Sequence, residues 1–164
     1  MQTPRLTLRK FRPEDIDELA KILNDPVVMK FSSKGQMSWQ DTSEFIDWCI
    51  ESYENNGYGQ WAVLDRETEC LIGFCGLSQI EINGKNEIQI GYRLSKQSWG
   101  KGLATEAGSE VLRLGFEEYK IKSIISVVSL EHGASINVTK KLGFSDYTLG
   151  RYSGWDVRIY RKNA

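Results

Sequence analysis

The sequence predicts an α+β fold in which a mixed, mostly antiparallel sheet of about seven strands is flanked by about four helices. Apolar residues alternate with a period of two in several short runs, and they recur every three or four residues in others. Asn83-Gly84, a strong signal for a hairpin turn, joins two of the alternating runs. With 164 residues, 40% of them hydrophobic, we expect a single domain over residues 1–164.

Local signals place each element in turn. Pro13 followed by two acids starts the first helix, and Ser38 with Asp41 caps the second, which Gly57 ends. The short apolar run 124–128 follows the third predicted helix and is reached by a crossover connection. Gly143 ends the last helix. The predicted strands are 6–11, 60–64, 70–77, 79–82, 87–94, 124–128, 145–149 and 155–161, and the predicted helices are 13–24, 39–55, 103–116 and 134–142.

A loop with two glycines follows the strand 87–94. Gly100 and Gly102 allow a positive φ and a close approach of another molecule to the backbone. The first amides of the helix that follows have no partner within the helix and lie at the positive end of its dipole. No acidic residue lies between positions 94 and 105, and Lys96 and Lys101 add positive charge. These features predict a binding site for a phosphate or pyrophosphate.

Two common nucleotide motifs fit this loop poorly. A dinucleotide fingerprint requires a third small residue where this chain has Thr105, and an acid about 20 residues further on. The residues near that offset, 124–128, are uncharged. A P-loop requires Gly-Lys-Ser or Gly-Lys-Thr, which Gly100-Lys101-Gly102 does not provide. Both motifs are therefore disfavoured.

The loop resembles the acyl-CoA loop of the GNAT superfamily of N-acetyltransferases. Gln97, Gly100 and Gly102 match the family pattern, and the residues around them resemble the Rim-type branch, which acetylates ribosomal-protein N-termini and small amines. The stretch 141–144, Lys-Leu-Gly-Phe, is a second point of similarity. The resemblance implies the GNAT fold with splayed strands at the acyl-CoA site. It also implies direct transfer of an acetyl group from acetyl-CoA to a primary amine, either a protein N-terminal amine or a small-molecule amine.

The resemblance also implies which residues contact the cofactor. The amide of Leu94 is expected to bind the thioester oxygen, and the other contacts come from the end of the strand, the loop, the start of its helix and a segment near position 132. No metal is expected, because the three cysteines and the single histidine lack ligand spacing. The implied cofactor-binding residues are Tyr92, Arg93, Leu94, Gln97, Ser98, Trp99, Gly100, Lys101, Gly102, Leu103, Ala104, Thr105, His132 and Ser135.

Two residues are candidates for proton transfer. Ser135 matches the serine of the family motif Asn-x-x-Ser, which implies contact with the CoA sulfur, and His132 replaces the asparagine. Thr139 stands where other GNAT branches have a catalytic tyrosine. Glu87, on the strand before the loop, is the candidate base. The alternatives are a helix cap for Ser135 and an exposed strand carboxylate for Glu87.

Acceptor recognition is assigned to four aromatic residues and one amide. The alternative for each aromatic residue is a place in the core. The amide replaces a glutamate of many Rim-type sequences, and it can orient a substrate but cannot take up a proton. These residues are Phe31, Trp39, Trp61, Phe74 and Gln89.

Charge and hydropathy indicate which binding partners and which cellular location to expect. A net charge of −1 and a pI near 5.9 give no basic surplus for nucleic acid or for an anionic membrane. No apolar run has the length of a signal peptide or a membrane span. We therefore expect a cytoplasmic monomer or homodimer. A non-catalytic acyl-CoA-binding module with a sensing or scaffolding role is the alternative function.

Overall fold

The computed structural model describes residues 1–164 and contains one sheet and four α-helices. Short 3-10 turns precede the first and third helices, and a π-helical turn, Leu114–Glu118, extends the third. The helices are α1 (Ile16–Leu23), α2 (Trp39–Asn56), α3 (Leu103–Arg113) and α4 (Gly133–Lys141). The strands are β1 (Leu6–Arg9), β2 (Gln60–Asp65), β3 (Leu71–Ile82), β4 (Lys85–Leu94), β5 (Ser123–Ser129), β6 (Tyr147–Tyr152) and β7 (Trp155–Asn163).

The seven strands form one sheet in the order β1-β2-β3-β4-β5-β7-β6. All neighbouring strands are antiparallel except β4 and β5, which are parallel and pair only at Gln89 and Ile125. The turn between β3 and β4 has a positive φ at both Asn83 and Gly84, as a type I′ hairpin requires. The mixed, mostly antiparallel sheet with four helices is confirmed.

One strand differs from the prediction. The runs 70–77 and 79–82 form a single strand, β3, whose pairing with β4 continues without a break from Gly73 to Ile82. Ser78, the polar residue between the two predicted runs, is buried and pairs with Gln89. A polar residue at this position therefore lies inside the strand, where it contributes to a polar patch described below.

The helices cover the two faces of the sheet. Phe45 of α2 packs on Phe74 of β3, with ring centroids 4.9 Å apart. The turn after α3 packs on Leu77 of the same strand, since a Cβ added to Gly115 would be 3.2 Å from the Leu77 side chain. Phe74 and Leu77 are three residues apart in β3, so their side chains point to opposite faces of the sheet. The turn after α3 therefore lies on the face opposite α2. The predicted Ser38–Asp41 capping box of α2 is present. None of the four helices combines the length and hydrophobicity that a membrane span requires.

Candidate active site

A gap opens in the middle of the sheet where β4 and β5 separate. Beyond the single pair at Gln89, no residue of β5 pairs with the end of β4. Ser95 donates its backbone N–H to Ile72 O on the β3 side, and the alternation of an antiparallel ladder turns the N–H groups of Tyr92 and Leu94 toward the gap. The splayed strands expected from the sequence are thus present, with backbone donors along one edge.

The glycine loop lies at the end of this gap. Gly100 and Gly102 have φ values of 72° and 77°, in the left-handed region that favours glycine. Gly102 is the N-cap of α3 and no side chain caps the helix, so the first amides of α3 remain available to an anion. The indole of Trp99 donates to Leu94 O at 2.9 Å and fixes the loop to the end of β4. These features fit the pyrophosphate of CoA.

The first turn of α3 carries an acid, Glu106, whose charge would oppose a bound phosphate. Arg5 forms an ion pair with it at 2.7 Å and donates from Nη1 to Lys101 O at 2.8 Å. Thr3 also donates to Glu106, at 2.6 Å. Burial disfavours the charged carboxylate, but the bonds from Thr3 and Arg5 outweigh burial and hold the pKa of Glu106 below its ordinary value. The N-terminal segment therefore neutralises the acid and holds the loop.

Tyr92 and Ser135 meet on the α3–α4 side of the gap. Tyr92 Oη lies 2.7 Å from Ser135 Oγ and also donates to Ser135 O at 3.2 Å. Burial raises the pKa of Tyr92, so the phenol stays protonated at neutral pH. Ser135 does not cap α4, because His132 is the N-cap residue and α4 has no side-chain cap. The cap alternative for Ser135 is therefore wrong.

His132 is the residue before α4, and its side chain lines the cleft where it contacts the segment between α1 and α2. Its ring stacks on Phe31, with centroids 4.2 Å apart and an interplanar angle of 16°. Burial and the nearby charge of Arg93 lower the pKa of His132 to about 4. His132 is therefore neutral at pH 7 and is a weak base. Arg93 in turn donates from Nη1 to Val28 O at 2.9 Å, which ties the α1–α2 segment to β4.

The floor of the cleft is polar and uncharged. Gln60 pairs with Gly76, and Gly76 pairs with Gly91, so the Gln60 side chain extends across two glycines toward the gap. A Cβ added to Gly91 would lie 3.2 Å from Gln60 Nε2. Gln60 Oε1 is buried and has no hydrogen-bond partner. Gln89 Nε2 donates to Ser78 Oγ at 3.3 Å beside it. Sequence reasoning missed Gln60, because nothing in its local sequence distinguishes it from other strand residues.

These elements enclose a cleft of about 1300 Å³ that reaches both faces of the sheet. Most of the predicted site residues contribute to its wall, whereas Gln97, Lys101, Gly102 and Thr105 lie in the loop or the start of α3 outside the wall. Several wall residues were not predicted, among them Gln60, Asp41, Glu44, Phe45 and Trp48. The predicted residues in the wall are Phe31, Phe74, Gln89, Tyr92, Arg93, Leu94, Ser98, Trp99, Gly100, Leu103, Ala104, His132 and Ser135.

Three predicted residues lie away from the cleft. Glu87 is bound by Arg161 at 2.6 Å, and this bond keeps the pKa of Glu87 below its ordinary value, so its carboxylate is neither basic nor close enough to be the base. Trp39 is exposed and donates its indole N–H to Asp17 at 2.7 Å. Trp61 is buried in the core, on the sheet face opposite Phe74. We correct these three assignments because none of the side chains reaches the cleft.

The comparison with known proteins agrees with this geometry. The sequence model of a protein family, the acetyltransferase (GNAT) domain, matches residues 5–145 of this chain. The chain belongs to the GNAT acetyltransferase family. It is 34% identical over 148 residues to the uncharacterized N-acetyltransferase p20 of Bacillus licheniformis, a match that covers 88% of this chain and 81% of the relative. It is 31% identical over 163 residues to the protein YkkB of Bacillus subtilis, covering 99% and 94% of the two chains.

Solved structures of GNAT proteins have the same fold. The GNAT acetyltransferase of Bacillus anthracis superposes with a TM-score of 0.82 at 25% identity, over 99% of this chain and 97% of that one. The spermidine N-acetyltransferase of Vibrio cholerae, solved with CoA and spermine, superposes with a TM-score of 0.77 at 19% identity, over 98% and 96%. This GNAT protein is an acetyl-CoA-dependent N-acetyltransferase, as the sequence predicted, and the non-catalytic alternative is not favoured.

Proposed function

We propose that this GNAT protein acetylates a primary amine by direct attack in the gap between β4 and β5. The observation that carries the proposal is the meeting of three groups at this gap. They are the unpaired amides of β4, the glycine loop at its end, and the Tyr92–Ser135 pair on one side. Acetyl-CoA supplies an acetyl group on a thiol that leaves. No side chain here is placed as a covalent nucleophile, because Cys49 and Cys75 are buried and Cys70 is exposed outside the cleft.

The loop and the edge of β4 would hold the cofactor. The first amides of α3, with Gly100 and Gly102 before them, suit the pyrophosphate. The N–H groups of Tyr92 and Leu94 point into the gap and suit the pantetheine arm and the thioester oxygen, where negative charge develops during acyl transfer. His132 and Ser135 lie at the start of α4 beside the cleft, whereas Arg93, whose side chain lies on the same face of the sheet as Phe74, is not part of this group. Seven other predicted cofactor contacts lie in the same loop and helix start, which supports their assignment: Gln97, Ser98, Trp99, Lys101, Leu103, Ala104 and Thr105.

Tyr92 and Ser135 would protonate the departing thiolate. Ser135 Oγ lines the cleft and lies 2.7 Å from the hydroxyl of the protonated Tyr92. When the phenol donates to Oγ, a proton lost from the serine hydroxyl can be replaced from the phenol. Tyr92 thus takes the role of the tyrosine that Thr139 replaces in the sequence motif. The phenol comes from the strand rather than from α4.

The uncharged floor would position the amine without removing its proton. Gln60, Ser78 and Gln89 accept and donate hydrogen bonds but do not titrate. An alkylammonium has a pKa near 10.4 and a peptide N-terminus has one near 7.7 to 8. The reaction therefore requires an amine that binds in its neutral form, with its last proton passing to water. An α-amine, whose pKa lies below that of an alkylamine, fits this floor better than a polyamine.

The test is a substrate panel read out by free CoA thiol. We expect thiol release from acetyl-CoA to depend on an added amine, and the acetylated amine to appear in equal amount by mass spectrometry. The panel contains peptide N-termini, free amino acids, spermidine and an aminoglycoside. Binding of CoA without turnover of any of these amines would contradict the proposal and favour a sensing or scaffolding role.

The location and assembly are parts of the same proposal. We propose a cytoplasmic protein, supported by three cysteines that form no disulfide. A monomer or a homodimer is expected, and light scattering of the purified chain distinguishes them.

A further inference from the structure

Arg93 carries a charge that no other residue neutralises. Its side chain lies on the α1–α2 face of the sheet, on the same face as its cross-strand partner Phe74, and lines the cleft. It makes one hydrogen bond, from Nη1 to Val28 O at 2.9 Å. No ion pair of the chain includes it. A guanidinium has five N–H donors, and a largely buried charge is usually paired with an opposite charge, so most of this group's binding capacity is unused.

The pKa values of Arg93 and His132 indicate that no negative charge lies beside the guanidinium. Burial lowers the pKa of Arg93 itself, and the positive charge of Arg93 adds to burial in lowering the pKa of His132 to about 4. A carboxylate beside the guanidinium would have the opposite effect on both groups. The contact with Val28 O alone does not explain a cation here, because a neutral donor could make the same bond.

The acids of the cleft wall do not compensate this charge. Asp41 and Glu44 lie at the exposed rim on α2, and Asp41 accepts bonds at 2.8 Å from both the amide and the hydroxyl of Ser38. Lys30 and Lys34, which also line the cleft, are positive. Arg93 is therefore an unneutralised charge in a wall that also contains the aromatic rings of Phe31 and Phe74.

We infer that Arg93 is an anion subsite for the acceptor, and that the acceptor is an amine with a carboxylate on a neighbouring carbon, as in a free amino acid. Gly91, where the Gln60 amide reaches the gap, and Arg93 lie on the same face of β4, ~7 Å apart along the strand. An amine placed beside Gly91 can therefore direct a nearby carboxylate to the guanidinium, which binds carboxylates through two parallel hydrogen bonds. The inference rests on the proposed function and specifies its substrate class.

Matched pairs of acceptors test this subsite by steady-state kinetics. L-phenylalanine is compared with phenethylamine and L-phenylalaninamide, and L-alanine with ethylamine, so that each pair differs in the carboxylate. The partners also differ in the pKa of the amine, so kcat/KM is calculated for the neutral form of each acceptor. On that basis we expect kcat/KM for each amino acid to exceed that of its partner by about 10-fold or more. Arg93→Gln should remove this preference, mainly by raising KM for the amino acid, while Arg93→Lys should keep part of it.

A matched control and a fold control accompany these variants. Lys34→Gln removes the same charge from the rim of the same cleft and should change the preference by less than about 3-fold. CoA affinity by calorimetry shows that Arg93→Gln is folded and that its cofactor site is intact.

The single histidine provides a second measurement that does not need turnover. In tag-free protein saturated with CoA, NMR follows the ring protons of His132, the only histidine of the chain. L-phenylalanine should raise the pKa of His132, because its carboxylate neutralises the charge of Arg93, whereas L-phenylalaninamide should not. Arg93→Gln should raise the pKa of His132 without ligand and abolish the response to phenylalanine.

Several outcomes would overturn the anion subsite. Equal kcat/KM within the pairs, a preference for the amide, or an equal loss for all acceptors in Arg93→Gln would each contradict it. A preference for the amide would favour peptide N-termini, and an equal loss would reduce Arg93 to an anchor for Val28. Turnover of spermidine or an aminoglycoside with none of the amino acids would reject the subsite while the proposed function stands. Absence of turnover with every amine would reject the proposed function.

Discussion

The two ends of the cleft are built from different parts of the chain. The proposed cofactor end uses backbone groups of one continuous stretch, from the end of β4 through the glycine loop to the start of α3. The proposed acceptor end uses side chains from four separate segments, represented by Phe31, Gln60, Phe74 and Arg93. Backbone conformation follows from local sequence, whereas a cluster of distant side chains depends on the whole fold. The difference explains why the conformation of the glycine loop could be predicted, whereas Trp39 and Trp61 were assigned wrongly to the cleft. Each prediction below tests one end against the other.

The largest effect is expected at the glycine loop. Gly100→Asp should weaken CoA binding by at least about 100-fold, because a carboxylate would face the pyrophosphate from a backbone at φ 72°. Gly35→Asp is the matched control at the acceptor end, since Gly35 has a φ of 64° and open space around its Cα, like Gly100. Calorimetry with CoA measures both. Similar affinities in the two variants would contradict the assignment of the loop.

Proton transfer between the two ends should give the next largest effect. Ser135→Ala and Tyr92→Phe should each lower kcat by about 10- to 100-fold, with CoA affinity changed by less than about 3-fold. Because the two hydroxyls act in one chain, the double variant should be little worse than either single variant. Additive losses in the double variant, or unchanged kcat in the single variants, would show that the 2.7 Å contact between the hydroxyls is structural.

At the acceptor end, Gln60→Met should raise KM for the acceptor by about 10-fold and leave CoA affinity unchanged. Gln60 Oε1 is buried without a partner, so an apolar side chain of similar length should not lower the free energy of unfolding. Chemical denaturation checks the stability, and initial rates check KM. A large loss of stability with unchanged KM would show that Gln60 serves the fold and not the substrate.

The smallest effect is expected from His132. Its pKa near 4 keeps the ring neutral from pH 5.5 to 8, so it should not contribute to the pH dependence of catalysis in that range. The rise of kcat/KM with pH should follow deprotonation of the acceptor amine alone. His132→Asn should change kcat by less than about 3-fold and give a superimposable profile. An inflection near pH 6.5 in the wild-type protein that the variant lacks would contradict this.

Local sequence was sufficient to predict much of the fold and the conformation of the glycine loop. Asn83-Gly84 and the Ser38–Asp41 box each specify a turn or a helix start through their own dihedrals and hydrogen bonds, and both are present. Gly100 and Gly102 likewise take the positive φ values that the loop requires.

The acceptor end could not be predicted in the same way. Phe74 and Trp61 looked alike in the sequence, yet strand pairing places them on opposite faces, so one lines the cleft and the other joins the core. Gln60 becomes part of the site only because its cross-strand neighbours are glycines, Gly76 in β3 and Gly91 in β4, over which its side chain reaches the gap. Tyr92 meets Ser135 across 43 positions of sequence. Such contacts depend on register and on helix docking, which local patterns do not encode.

The gap between β4 and β5 is open to both faces of the sheet, with Phe74 lining it on one face and Val138 on the other. The two substrates can therefore enter from different directions and occupy the protein together. Initial-velocity plots should then give intersecting lines, with neither substrate obliged to bind first. The acetylated product should be able to dissociate while the spent coenzyme is still in place.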